Sequence, residues 1–345
     1  MEEVILKKSI LAFVLVAVVA SCVFFSACNA GEGSTVLGET SISSGTGEGT
    51  AIVSGDIEVE QLEDINEVTI NGVTYKQKNN VMNILLLGID SDAERVKQKM
   101  GWRSDMIMLC TIDNDTGAIT LTSIPRDTYA KIYHVNENGE ATNEVVEKLN
   151  HAYAYGGGPN SYSAQNAVQC TMEFLTCDGQ ISVPIHNYIS IDLDGLPQLT
   201  DALDGVEVTL DQAVSDVGSA GETVDLNGSR ARKFLENRHD MSEGEMTRQY
   251  HEQLFIQSML EEIKDMGAKE AASDLYETFM KFTRTDLSLD TVMDLAGSLD
   301  SSNLDNLVMQ RMQQGEGRYE GPVWYYFANM DEVLQMMLAT QYTPV

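Results

Sequence analysis

Three nearly unbroken apolar runs dominate the middle of the chain, and each meets charge at one end. Asn83-Ile84-Leu85-Leu86-Leu87-Gly88-Ile89 runs into Asp90, the run from Met106 to Ile112 is preceded by Arg103-Ser104-Asp105, and the run from Ala118 to Ile124 is followed by Pro125-Arg126-Asp127. Short apolar runs bounded by turn residues read as strands. Asn114-Asp115-Thr116-Gly117 separates the second run from the third, which makes the pair a hairpin. Folding about Asp115 sets residue 105 opposite residue 125 and puts Asp105 beside Arg126. Asp90 joins them if the first strand runs parallel to the third, as strands apolar on both faces of a covered sheet often do. One charge at a strand end commonly just meets solvent; three acids and two arginines converging on one spot predict a site.

Around these strands, Val68 to Tyr75 gives a small hairpin signal with Asn71-Gly72 at its turn, read as a lead-in. From Asn80 onward strand-like and helix-like patterns alternate without a Pro/Gly/Ser linker, which predicts one α/β domain. The expected elements are an amphipathic helix from Ser161 to Leu175, a strand from Tyr188 to Asp192, a short helix from Leu199 to Leu203 and a strand from Val206 to Leu210. A basic helical stretch from Ser229 to Asn237, a long helix over 246–266, a helix from Asp290, a strand near Leu307 to Met312 and a closing helix from Met330 to Ala339 follow. Gly156-Gly157-Gly158 precedes the first of these helices, and backbone amides in such a turn can hold a phosphate. Stripes such as Met309, Met312, Met336 and Met337 read as packing rather than as a metal box.

The first eighty residues have a different character. Lys7-Lys8 precedes an uncharged stretch from Ser9 to Ala27 rich in Val, Ala, Leu and Phe. Phe25-Ser26-Ala27-Cys28 is similar to a bacterial lipobox, so residues 1–28 are either a signal anchor or a lipoprotein signal. Residues 29–79 carry a Gly/Ser/Thr-rich, lysine-free segment suited to a flexible tether. The expected location is the outer face of the cell membrane, the two lysines keeping the N-terminus inside. The formal net charge is -31, from 22 basic and 53 acidic residues, which disfavours a grip on the nucleic acid backbone. A polyanionic ligand then needs a local arginine cluster. Cys170 and Cys177 are expected to form a short-loop disulfide after export, two reduced helix-face thiols being the alternative.

The ordered combination of Asn83 to Asp90, Arg103-Ser104-Asp105, Ser123-Ile124-Pro125-Arg126-Asp127, Lys148-Leu149-Asn150-His151-Ala152-Tyr153-Ala154, Gly156-Gly157 and Asp201 to Val208 resembles the LytR-CpsA-Psr family of bacterial cell-wall glycopolymer transferases. The likeness covers most of residues 80 to 255, and Ser-Ile-Pro-Arg-Asp is its strongest signature. The fold expected is α/β: a single domain over 80–345 with a mixed central sheet flanked by helices in three layers. The resemblance implies a polyprenyl-pyrophosphate-linked glycan as donor, peptidoglycan as acceptor, a divalent cation, Mg2+ or Mn2+, and a membrane tether. Two positions depart from the family pattern. Glu236 precedes Arg238 where two arginines two apart are usual, and His251 stands three residues after Arg248 where an arginine is usual.

On this basis Arg103, Arg126, Arg238 and Arg248 are assigned to pyrophosphate, because the planar guanidinium donates paired hydrogen bonds to phosphate oxygens. Arg230 or Arg232 is the candidate to replace the missing arginine. Asp90 and Asp105 are the expected metal ligands, since Mg2+ takes one or two carboxylates together with phosphate oxygens and water. Asp127, or Asp90 when it is not a ligand, is the expected base, with Arg126 stabilising charge at phosphorus. His151 and His239 read as structural. A tethered binding or regulatory protein and a polyprenyl pyrophosphate hydrolase are the competing functions.

Overall fold

The computed structural model describes residues 66–90, 102–158, 161–192, 195–236, 249–259, 282–287 and 307–345, with the side chains of Leu196, Leu199, Ala202 and Glu236 excepted. They fall into two compact units, one within Val36–Ser190 and Gln310–Val345, the other within Ile191–Met309. The class is mixed α/β.

In the first unit, strands β1 (Glu67–Ile70) and β2 (Val73–Gln77) join through Asn71 and Gly72, whose φ angles of 51° and 79° suit these two residue types. The hairpin read as a lead-in is continuous with the fold, because β2 also pairs with the last strand, β15 (Tyr342–Pro344). The three apolar runs are β3 (Val81–Asp90), β4 (Arg103–Asp113) and β5 (Ala118–Ser123). β4 pairs antiparallel with both neighbours, so β3 and β5 run parallel to each other, as expected. In the sheet, β8 (Asn187–Asp192), β3, β4, β5 and β12 (Leu307–Arg311) are successive neighbours, and the boundaries between the units fall inside β8 and β12.

The register of the hairpin corrects the sequence reading by one residue. Met108 pairs with Ser123 and Asp113 with Ala118, so the turn centres between Asp115 and Thr116. Carried past the end of β5, this register brings Arg126 rather than Pro125 level with Asp105. On the other edge, Gly88 pairs with Met106 but Ile89 with Ser104, so Asp105 is the extra residue of a β-bulge. Bulges re-aim side chains at the ends of paired strands.

Two further hairpins frame this end of the sheet. β6 (Tyr129–Val135) pairs with β7 (Ala141–Lys148), and β13 (Glu316–Glu320) pairs with β14 (Val323–Phe327). After β7 come a short helix, α1 (His151–Tyr155), and α2 (Ser163–Leu175). Leu85, Leu87, Ile107 and Leu109 share one core with Ala164, Ala167 and Val168 of α2 and with Met312, Val333 and Met337. The last two belong to the closing helix, α6 (Met330–Gln341), whose first turn is capped by Asn329 accepting from the amides of Asp331 and Glu332. Met312 and Met337 are fully buried, in keeping with a packing role.

The cysteine pairing expected from sequence is not formed: Cys170 and Cys177 are free and buried. Cys170 lies inside α2 with Sγ 3.6 Å from Asn166 Oδ1, and Cys177, two residues past its end at φ 53°, has Sγ 3.6 Å from Leu175 O, so each thiol has its own neighbour.

The second unit contains α3 (Leu196–Ala202), the antiparallel pair β9 (Glu207–Thr209) and β10 (Thr223–Asp225), α4 (Gly228–Glu236), a helical segment α5 over 249–259 and the short β11 (Thr283–Thr285). Its core gathers Leu203, Val206, Val208, Val224, Phe234 and Phe255.

Candidate active site

The candidate site lies within the first unit, where β3 ends, β4 begins and β5 passes into Pro125-Arg126-Asp127. Backbone hydrogen bonds fix that last segment on two sides. Leu149 N donates to Thr128 O at 2.9 Å and Asn150 N to Arg126 O at 3.1 Å, while Tyr326 N of β14 donates to Asp127 O at 2.9 Å. The sequence thus holds Arg126 and Asp127 between the end of β7 and the start of α1 on one side and an aromatic strand on the other.

The side chains follow from this frame. Arg126 Nη1 donates to Asp105 Oδ2, and Asn150 Nδ2 donates to Asp105 Oδ1 at 3.3 Å. Arg126 Nε lies 3.8 Å from Asp127 Oδ2, and Lys148 Nζ lies 2.8 Å from Asp127 Oδ1. Asp105, Asp127 and Asn150 are all buried. Asp90 is the cross-strand partner of Arg103 at the same end of the sheet. Three cations are therefore set among these carboxylates in a chain of formal net charge -31, the local cation cluster that a polyanionic ligand needs.

His151 opens α1 with Nδ1 3.0 Å from Glu147 Oε2, and its Nε2 meets no hydrogen-bond partner among the described residues. Burial, reinforced by the charge of Arg103, pulls its pKa down to about 4, so the ring is neutral at physiological pH. The ring of Tyr155 lies 5.9 Å from it and stacks on His134 at 3.9 Å. A structural role for His151 fits this packing. Gly158, at φ +108°, sits so close beneath Trp102 that an added Cβ would come within 2.8 Å of the indole, and its amide donates to Ser163 Oγ at 2.7 Å. That amide serves the start of α2.

Of the residues predicted, Asp90, Arg103, Asp105, Arg126 and Asp127 gather here. Arg238, Arg248 and His239 lie outside the described residues. Arg230, a candidate replacement, donates to the carbonyls of Val217 and Asp225 in the second unit. His251 is buried there, stacked on Phe234 at 4.3 Å with Nδ1 3.2 Å from Phe234 O. Lys148 and Asn150 carry no role in the sequence reading, and their contacts with Asp127 and Asp105 supply one for each. Glu147 had no sequence signal. Among the described residues no three His, Cys, Asp or Glu side chains gather to hold a metal. A cation at Asp105 would have to share a carboxylate whose two oxygens already accept from Arg126 and Asn150, and draw its other ligands from phosphate and water.

The pattern that defines the LytR_cpsA_psr family matches residues 47–341. The chain is 29% identical over 290 residues to the polyisoprenyl-teichoic acid--peptidoglycan teichoic acid transferase TagU of Oceanobacillus iheyensis, covering 81% of this chain and 79% of the relative. Among solved structures it is similar to protein gbs0355 of Streptococcus agalactiae, with a TM-score of 0.60 and 24% identity over 76% of this chain and 88% of that one. TagV of B. subtilis gives a TM-score of 0.57 and 20% identity over 76% and 98%. At these identities the two structures speak to the fold alone.

Proposed function

Because the chain belongs to the LytR-CpsA-Psr family, we propose that it transfers a phospho-glycopolymer from a polyprenyl-pyrophosphate-linked donor to a hydroxyl of peptidoglycan. The name of the relative from Oceanobacillus iheyensis supports this reading. The observation that carries it is the Arg126-Asp127 pair held between Asp105 and Lys148.

A pyrophosphate entering a cleft needs fixed cations in place of its water. Arg126 is oriented by Asp105, which Asn150 orients in turn, and Arg103 stands at the start of the same strand. Arg238 and Arg248 are proposed to add charge around the same phosphates. A sugar hydroxyl of the acceptor attacks the phosphorus that bears the glycan, the bridging P–O bond breaks, and polyprenyl monophosphate leaves with the bond's electron pair. The proton goes to a carboxylate, for which Asp127 is the candidate, with Lys148 holding its Oδ1 and Arg126 Nε 3.8 Å from its Oδ2. Arg126 offsets charge at phosphorus and on the leaving group. Mg2+ or Mn2+, held by Asp90 and Asp105, would supply further charge neutralisation.

The polyprenyl tail is proposed to lie along α2. Among the described residues no helix is long and apolar enough to cross a membrane. The stretch Ser9 to Ala27 lies outside those residues, and we assign it the membrane tether, with helices layered on both faces of the sheet outside the cell. One observation favours a second reading, a tethered binding protein that keeps the anion site without transfer. Where the family pattern has an arginine, His251 packs into a core. Incubating the full chain with lipid-linked glycan and a peptidoglycan fragment, with Mg2+ or with chelator, separates the readings. Glycan joined to the fragment supports transfer, free glycan phosphate indicates hydrolysis, and recovery of intact donor indicates binding alone.

A further inference from the structure

Residues 324–327 are four consecutive aromatics, Trp-Tyr-Tyr-Phe, in a chain whose aromatic content is 7%. They form most of β14, and alternation along a strand sends Tyr326 to one face and Tyr325 and Phe327 to the other. Tyr326 is the anchor: it is buried, its hydroxyl donates to Met312 O at 3.0 Å and accepts from Gly315 N at 3.0 Å, and its amide holds Asp127 O. On the opposite face Tyr129, at the start of β6, brings its ring to 5.1 Å from Tyr325 at 82° and to 4.7 Å from Phe327 at 32°. Tyr129 is 37% exposed, whereas Tyr325 is buried beneath it at 6%. The guanidinium carbon of Arg318 lies 3.4 Å from the centre of the Phe327 ring, and every residue of β13, Glu316 to Glu320, is exposed.

This shelf adjoins the candidate base through one side chain. Lys148 Nζ is 6.0 Å from the centre of the Tyr325 ring and 2.8 Å from Asp127 Oδ1. We propose that the exposed ring of Tyr129, backed by the buried Tyr325 and by Phe327 and with Arg318 at the rim, stacks a sugar ring of the acceptor glycan and so delivers its hydroxyl to Asp127. This rests on the transfer reading above. The chemistry favours a carbohydrate over a lipid tail or a protein helix. The C–H face of a pyranose carries partial positive charge that suits the negative face of an aromatic ring, while its hydroxyls need the charged rim that Glu316, Arg318 and Glu320 supply. A lipid or an apolar helix needs a continuous apolar surface, which an all-exposed strand with three charges in five residues does not offer.

The test uses the full chain in detergent and a tetrasaccharide fragment of peptidoglycan as acceptor probe. Tyr129→Leu keeps apolar volume but removes the ring face, and Tyr129→Phe keeps the ring. For Tyr129→Leu the expected result is a rise in acceptor KM of five- to tenfold with kcat and donor KM kept. Tyr129→Phe is expected to stay within twofold of wild type. Direct titration of the tetrasaccharide, without donor, should show the same ranking. Equal acceptor KM for wild type and Tyr129→Leu overturns the shelf while leaving transfer intact; so does equal loss in both variants accompanied by a lower melting temperature. If wild type binds the tetrasaccharide with this ranking yet transfers nothing, the shelf stands and the transfer reading fails. Binding to phosphatidylglycerol vesicles that is lost in Tyr129→Leu, with no tetrasaccharide binding, assigns the surface to lipid and overturns the proposal.

Discussion

Replacing Asp105 by Asn tests how far the site is held by charge. The side chain is buried, its Oδ2 accepts from Arg126 Nη1 and its Oδ1 accepts from Asn150 Nδ2. An asparagine has the same shape but only one accepting oxygen, so one of the two donors must then face an NH2 group. Hydrogen bonds to charged groups contribute roughly 1.5–3 kcal/mol, and removing a whole partner from a buried pair costs about 3–5 kcal/mol. The isosteric change should therefore destabilise by about 2 kcal/mol, near the lower end because shape and one bond survive. For a unit of this size each kcal/mol shifts Tm by roughly 2–4 °C, giving an expected fall of about 4–8 °C. Thermal unfolding of wild type, Asp105→Asn, Arg126→Gln and the double variant reads both the fall and the coupling, which should exceed about 1 kcal/mol for a pair in contact. Transfer should drop in all three variants, because Arg126 loses its orientation or its charge. A Tm for Asp105→Asn within 1 °C of wild type, with additive single effects, would refute the reasoning.

Three other outcomes are expected. Lys148→Gln removes the ammonium from Asp127 Oδ1 at a partly exposed position, so kcat should fall at least tenfold with little change in Tm; an unchanged kcat would separate Lys148 from the chemistry. Burial lowers the pKa of His186, whose Nδ1 accepts from the Asn83 amide at 3.0 Å. Its neutral form is favoured in the folded state, so its contribution is complete above the unfolded value of about 6.5 and is lost as pH falls below it, at up to about 1.4 kcal/mol per pH unit. His186→Asn should flatten the stability profile between pH 6.5 and 5, and a parallel profile would remove His186 from that role. Burial pushes the Cys177 thiol up to about 12 and that of Cys170 higher still. Alkylation should thus miss both in native protein and label both after unfolding without reductant, whereas a Cys170-Cys177 cross-linked peptide would contradict the free thiols.

The parts of the site that were legible in the sequence are those set by strand period and turn chemistry. Two apolar runs of seven residues broken by Asn-Asp-Thr-Gly mark the β4-β5 hairpin, and with it the approach of Asp105 to Arg126. The one-residue error came from taking Asp115 as the centre of a turn that is symmetric about the Asp115-Thr116 bond. The bulge at Asp105 has no signature that alternation reveals, since it changes pairing without changing composition. β7 was missed because Ala-Thr-Asn-Glu-Val-Val-Glu-Lys is exposed along most of its length and lacks a period-two apolar face. Without β7, Lys148 and Asn150 had no place in space, and their contacts with Asp127 and Asp105 could not be foreseen. No sequence signal marks β14 as part of the site: the parallel bridge from Tyr326 to Thr128 and the packing of Tyr325 and Phe327 on Tyr129 put it there, and contacts between residues so distant in sequence follow from the folded topology.

In the proposed reaction a sugar hydroxyl, not water, attacks the donor phosphorus beside Arg126 and Asp127. A single turnover in 18O-labelled water, with lipid-linked glycan and peptidoglycan fragment, tests this most directly by mass spectrometry of the phosphorus-containing products. The expected products are a glycan-fragment phosphodiester and polyprenyl monophosphate, both free of label, and both are lost in Arg126→Ala. Glycan phosphate carrying one 18O, with the fragment unmodified, would contradict this reaction.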